Sequence, residues 1–299
     1  MMRITCALRN LKTRKRDLGT DMQYRQAGKE IEIFELDDFD LERIFECGQC
    51  FRWNADGAGV YTGVAMGRAL RIRKRGDSVF MTSPSEDFEN IWHGYFDLDL
   101  SYREIRGRLC IDDYMKEATD FGAGIRILRQ EKWEALCSFI ISQCNNIPRI
   151  KKIVETLCRE LGDAIEFEGE TFYTFPAPEK IAVLDEAALA PCRMGYRAAY
   201  VIAAAKKVAA GELDLDALAR ETPEAALTEL KKLVGVGDKV ANCAVLFGLH
   251  MLNAFPVDVW MKRAVEKHYG KDFSPKIFEP YAGIAQQYMF FHARSLRGK

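Results

Sequence analysis

Lys239 and Asp258 stand nineteen residues apart, each where the sequence predicts the start of a helix. Leu233-Val234-Gly235-Val236-Gly237-Asp238 leads into Lys239, and the run Val240 to Phe247 behind it is almost wholly apolar, as a helix buried on most faces would be. An amine there meets the positive end of the helix dipole. That disfavours the ammonium form and brings a nucleophilic free amine closer to neutral pH. Gly235 and Gly237 permit positive φ and bare their backbone N–H groups beside a helix N-terminus, a setting that favours phosphate. A phosphate cradle thus adjoins an activated amine. Taken singly, each residue has a plainer reading. A lysine behind a Gly-x-Gly turn is ordinarily a solvated surface residue. Asp258, in Phe255-Pro256-Val257-Asp258-Val259-Trp260-Met261-Lys262-Arg263, is most simply an N-cap. Their combination at this spacing is what points to a reaction.

The elements that must position the pair divide the chain into an α+β arrangement. From Ile31 to Ser83 the sequence alternates and is broken by turn residues such as Ala55-Asp56-Gly57-Ala58-Gly59 and Arg75-Gly76-Asp77, which predicts a small antiparallel sheet domain over 31–115. From Ser101 onward the apolar periods lengthen, as in Trp133 to Ser142 and Ile150 to Leu161, and strand signals almost vanish; a helical domain is expected over 116–299. Residues 1–30 read as a basic tail, either disordered or preceding a true start at Met22.

Composition narrows the class. With 299 residues, 48% hydrophobic and 29% charged, the chain can bury a sizeable core. No apolar run approaches the eighteen or so residues of a membrane span, so an intracellular monomer with no membrane partner is expected. Nine irregularly spaced cysteines read as reduced thiols rather than a disulfide framework. A net charge of −1 argues against a nucleic-acid partner, but its distribution partly answers this. Acid gathers between Glu32 and Glu46, while base gathers at Arg149, Lys151 and Lys152, at Arg193 and Arg197, and around Lys231, Lys232, Lys262 and Arg263.

From Leu230 to Tyr269 the chain resembles the helix-hairpin-helix DNA glycosylases, and within them the 8-oxoguanine DNA glycosylase/AP lyases, with the lysine-to-aspartate spacing intact. Gly48-Gln49-Cys50-Phe51-Arg52-Trp53, Ser142 to Ile150, Met194-Gly195-Tyr196-Arg197-Ala198 and Gly283 to Phe290 extend the resemblance over nearly all of the chain beyond its first thirty residues. The resemblance implies a bifunctional enzyme of base excision repair acting on double-stranded DNA with an oxidised guanine, in the bacterial cytoplasm on the nucleoid or in a eukaryotic nucleus. Lys239 would be the Schiff-base nucleophile and Asp258 the carboxylate that stabilises positive charge on the sugar. The extruded purine would lie between Cys243 and Phe290. Gln286 would bond its edge, and the Gly48 carbonyl would accept the N7 hydrogen that only the oxidised base carries. Asn145, Asn146 and Arg149 would fill the gap in the duplex, with Tyr196 as a wedge and Arg197 joining Arg149 on the orphaned cytosine. Gly235, Val236 and Gly237 would hold the DNA backbone, and a hairpin of this kind can hold a monovalent cation through its carbonyls; no other cofactor is implied.

Three departures from the family pattern bear on the lesion range. Cys144 replaces the first of three consecutive asparagines, Trp260 stands where animal relatives have histidine, and Ala293 replaces an acid. Plainer alternatives stay open: Cys243 and Phe290 as core packing, Gly48 as a turn glycine, and the loop residues as a surface turn. So do a glycosylase for another lesion and a non-catalytic hairpin DNA-binding module. Cys47-Gly48-Gln49-Cys50 could be a redox dithiol or half a zinc site, but no second C-x-x-C or paired histidines at zinc spacing accompany it.

Overall fold

A computed structural model of the chain describes residues 12–15 and 21–296. Its main sheet is antiparallel throughout, with β1 (Lys12–Lys15), β2 (Asp21–Ala27), β3 (Glu30–Phe34), β4 (Trp53–Ala55), β5 (Val60–Ala65), β6 (Arg68–Arg75) and β7 (Ser78–Thr82) in the order β1-β2-β3-β7-β6-β5-β4. Period-two alternation sets its register. Ile31 and Ile33 of β3 lie opposite Met81 and Val79 of β7, all four fully buried on one face.

The sheet begins earlier than the sequence suggested. The expected tail over 1–30 is corrected where it is described, because β1 and β2 extend the sheet and Met22 and Tyr24 on β2 are buried. Their alternation was hidden among charged neighbours; residues 1–11 and 16–20 lie outside the described residues. The mostly helical region also carries a short hairpin, β8 (Ala164–Phe167) paired with β9 (Glu170–Tyr173). Its turn residues Glu168 and Gly169 both have positive φ, the signature of a tight hairpin. Arg71 on β6 holds both Glu168 and Glu170, which ties this hairpin to the main sheet.

Two hydrophobic cores interleave along the chain, one drawing on Met22 to Leu98 together with Leu128, the other mostly on residues from Tyr102 onward. One is aromatic, built under the sheet around Phe45 and Trp53, whose rings stack at 4.2 Å. The other packs the helices Lys132–Ile141, Ile147–Leu161, Arg197–Ala209, Pro223–Leu230, Asp238–Cys243, Val259–His268 and Ala282–Ser295. Cys47 and Phe51, in the loop behind the Leu41–Glu46 helix, belong to this second core, so the Gly48 loop sits at the seam between the two. No helix among the described residues is long and apolar enough to cross a membrane.

A buried charge network fastens the seam. Asp97 accepts from the Tyr102 hydroxyl at 2.9 Å and pairs with Arg129 at 2.7 Å; His250 Nε2 lies 3.3 Å from the same carboxylate, off the line of a directed hydrogen bond. Burial alone would raise the Asp97 carboxyl, but His250, Arg129 and Arg126 outweigh it and hold it at about 2. A carboxyl held below its unfolded value stabilises the fold above pH ~4 and loses that contribution as pH falls from there towards 2. Urea unfolding should therefore lose about 2 kcal/mol of stability across that window. Asp97→Asn should flatten this acid limb and be destabilised at neutral pH by about 2 kcal/mol, the contribution that the Asp97 charge makes beside Arg129, His250 and Arg126. An acid limb unchanged in Asp97→Asn would place the acid lability elsewhere.

Candidate active site

The Pro223–Leu230 and Asp238–Cys243 helices are joined by a hairpin whose tight turn is closed by Val236 N–H donating to the Leu233 carbonyl at 3.1 Å. Gly235 has φ +79°, and a Cβ there would fall 2.2 Å from the Tyr200 ring, so conformation and space both demand glycine. Gly237 does not share this need, against expectation. Its φ is −97°, and it serves as the extended N-cap residue of the second helix.

Lys239 is the second residue of that helix and is half-buried. Its Nζ lies 3.5 Å from Ser142 Oγ and 5.5 Å from the centre of the Phe139 ring, a loose setting that leaves the amine free to move. Cys243 follows one turn later on the same side, after which the helix widens into a π turn over Ala244–Gly248. Burial pushes the Cys243 thiol above its ordinary range against the pull of the neighbouring Lys239, which keeps the sulfur neutral.

Asp258 is the N-cap of the Val259–His268 helix, as its plainer reading had it. Its Oδ1 accepts from Trp260 N at 2.9 Å and Met261 N at 2.8 Å. The cap occupies one oxygen and fixes the side chain's direction, and the carboxylate still lines the same cleft as Lys239.

That cleft, of about 530 Å³, brings Gly48, Ser142, Lys239, Asp258, Phe290 and Arg294 together from five separate stretches of chain. A narrow recess of about 50 Å³ continues from it between Cys243, Gln286 and Phe290. Gln286 and Phe290 are four apart on the Ala282–Ser295 helix and so share a face. Gln286 Oε1 is buried with no hydrogen-bond partner.

Gly48 has φ +90°, and a Cβ there would sit 3.5–3.7 Å from Ile147, Arg294 and Phe290, at the wall of the cleft. The backbone around it is pinned. The Glu46 carbonyl accepts from Arg294 at 2.8 Å, that of Cys47 from Gln287 at 3.1 Å, and that of Gln49 from Gln130 at 2.7 Å. Gln49 is itself buried, donating to the Ile44 and Arg126 carbonyls and accepting from Leu128 N. Burial raises both the Cys47 thiol, to about 11, and that of Cys50, which suits neither a redox dithiol nor zinc thiolates. Among the described residues no three His, Cys, Asp or Glu side chains converge as a metal site.

Beyond the cleft, Asn145 donates to the Ile141 carbonyl at 3.3 Å, and Asn146 caps the Ile147–Leu161 helix through Arg149 N at 3.0 Å. Both asparagines line the cleft; Arg149 projects into solvent from the first turn of the helix. Cys144 is exposed with φ +47°, a conformation that asparagine tolerates better than cysteine. Tyr196 is half exposed with the Arg197 guanidinium 4.5 Å above its ring. Arg197 is buried and makes four hydrogen bonds to the carbonyls of Gln143, Cys144 and Met194, bracing the loop that carries the asparagines.

Sequence reasoning gave no role to Ser142, Phe139 or Arg294. Arg294 carried a legible signal: it continues the four-residue spacing of Gln286 and Phe290 along one face.

Residues 33–136 match the family model of the 8-oxoguanine DNA glycosylase N-terminal domain, and 137–279 match that of the HhH-GPD superfamily of base excision DNA repair proteins. The crystal structure of a Clostridium acetobutylicum 8-oxoguanine glycosylase/lyase, bound to double-stranded DNA with cytosine opposite 8-oxoG, superposes with a TM-score of 0.86 at 37% identity. The match covers 92% of this chain and 98% of that one. A probable N-glycosylase/DNA lyase of Methanothermobacter thermautotrophicus is 30% identical over 75% of this chain and 79% of its own length. The N-glycosylase/DNA lyase of Saccharomyces cerevisiae is 35% identical over 58% of this chain, and the match spans half of its length.

Proposed function

The chain belongs to the N-glycosylase/DNA lyases, within the HhH-GPD superfamily of base excision DNA repair proteins, and from that premise we infer that it excises 8-oxoguanine from duplex DNA and nicks the strand at the abasic site. The observation that carries the residue roles is the meeting of Lys239, Asp258 and Gly48 in one cleft with the Cys243–Phe290 recess behind it.

The neutral Lys239 amine attacks C1′ of the extruded nucleotide. The electron pair of the C1′–N9 bond goes to the purine, and a proton shed by the amine follows, so the base leaves neutral. Asp258 stabilises the positive charge that develops on the sugar meanwhile. Ring opening, with a proton taken up by O4′, leaves an imine between Nζ and C1′. Loss of a C2′ proton then drives an electron pair towards C3′ and expels the 3′ phosphate. Water hydrolyses the imine and frees the lysine.

The recess reads the base. Cys243 and Phe290 cover its two faces, and the unpartnered Gln286 Oε1 accepts from its edge. The Gly48 carbonyl accepts from N7–H of the oxidised base and opposes the N7 lone pair of guanine; its pinned neighbours keep it from turning away. Asn145, Asn146 and Tyr196 fill the vacated stack, and Arg149 meets the orphaned cytosine. Gly235, Val236 and Gly237 meet the backbone phosphates. Such an enzyme works where the DNA is, on the bacterial nucleoid or in a eukaryotic nucleus.

Borohydride trapping tests this reading, using labelled duplexes with 8-oxoguanine opposite each normal base and an undamaged control. A covalent protein–DNA adduct and a nicked strand are expected with the lesion and absent from the control. Binding without any adduct would overturn the assignment to this lesion and favour another damaged base or a binding role.

A further inference from the structure

The mechanism above leaves one cation in the cleft without a task. Arg294 lies on the helix face that carries Gln286 and Phe290, with its guanidinium 5.9 Å from the centre of the Phe290 ring. Nη2 is anchored on the Glu46 carbonyl at 2.8 Å, but Nη1 is buried with no hydrogen-bond partner. The nearby Glu46 carboxylate does not serve it, being held by Lys151 at 2.8 Å. Burying an unsatisfied guanidinium N–H is costly unless something absent from the free protein completes it. Nη1 is 3.6 Å from where a Cβ of Gly48 would stand, beside the backbone that faces the purine's N7 edge.

The two groups flanking N7–H in 8-oxoguanine are both carbonyl oxygens, O6 and O8. We propose that Arg294 is a specificity-determining residue, its guanidinium donating to one of these oxygens next to the Gly48 carbonyl and stabilising the negative charge the purine acquires as its glycosidic bond breaks. The electron pair of the C1′–N9 bond is shared by those oxygens until the proton from the amine arrives, so a fixed cation there acts most strongly in the transition state. This role rests on the excision reading above and extends it from the sugar to the leaving group.

The test compares wild type, Arg294→Met and Arg294→Lys on two duplexes, one with 8-oxoguanine and one with a preformed abasic site, under single-turnover conditions. An abasic site has no base to read, and its nicking still needs Lys239. In Arg294→Met, excision should fall about a hundredfold relative to abasic-site nicking in the same preparation. The loss should lie in the rate at saturating enzyme rather than only in the half-saturating concentration, and Arg294→Lys should recover part of it. Equal losses on both duplexes would reduce Arg294 to a brace for the Glu46 carbonyl and overturn the proposal, as would unchanged excision. The wild type is read first. If it nicks abasic DNA but leaves 8-oxoguanine in place, the lesion assignment itself fails, and this role with it.

Discussion

Replacing Lys239 by glutamine should abolish the borohydride adduct and lower strand nicking by at least about 10⁴-fold, the scale expected when a covalent nucleophile is removed. The fold should survive the change. Lys239 is half-buried, its side-chain contacts are a 3.5 Å approach to Ser142 and the neighbouring Cys243 thiol, and glutamine has similar reach at a helix position that tolerates it well. What remains should also differ in kind. With the carboxylate of Asp258 still in the cleft, slow attack by water can release the base without an imine, so residual product should be an intact abasic strand rather than a nicked one. A trapped adduct in Lys239→Gln would show that another amine is the nucleophile and would undo the reading of the hairpin.

How much of this was legible in the sequence depends on the range over which each residue acts. The hairpin was legible because its causes are local: Gly235 needs positive φ and room beside Tyr200, and Lys239 and Cys243 share a face by helical periodicity alone. The same locality misled at Gly237, where a second glycine in the pattern suggested positive φ but the backbone is extended. Met22 and Tyr24 were overlooked because two buried side chains among charged neighbours carry little periodic signal until β3 is there to pair with them. Pairing over long separations was beyond reach. Nothing local to Gly48 announces that its flanking carbonyls are held by Gln287 and Arg294, some 240 residues away. Nor does anything near Arg197 reveal that its guanidinium is spent on the 143–144 loop. Roles set by periodicity could be read from sequence; those set by where two distant elements cross needed the fold.

Asp258 is where the local and the chemical readings overlap, and substitution can separate them. Its Oδ1 caps the Val259–His268 helix through two backbone N–H groups. Asparagine keeps that oxygen and caps about as well as aspartate, whereas alanine removes it at a cost of about 1 kcal/mol. Asp258→Asn should therefore melt close to wild type yet excise 8-oxoguanine roughly 10²–10³-fold more slowly, because only the charge facing the sugar is gone. Asp258→Ala should show the same kinetic loss together with reduced stability, so that the two variants differ in melting temperature and agree in rate. If Asp258→Asn instead excised at nearly the wild-type rate while Asp258→Ala lost activity in step with its stability, the carboxylate would be a helix cap and no more. The positive charge on the sugar would then have to be met by the DNA itself or by the approaching lysine, and the cleft would rest on Lys239 alone.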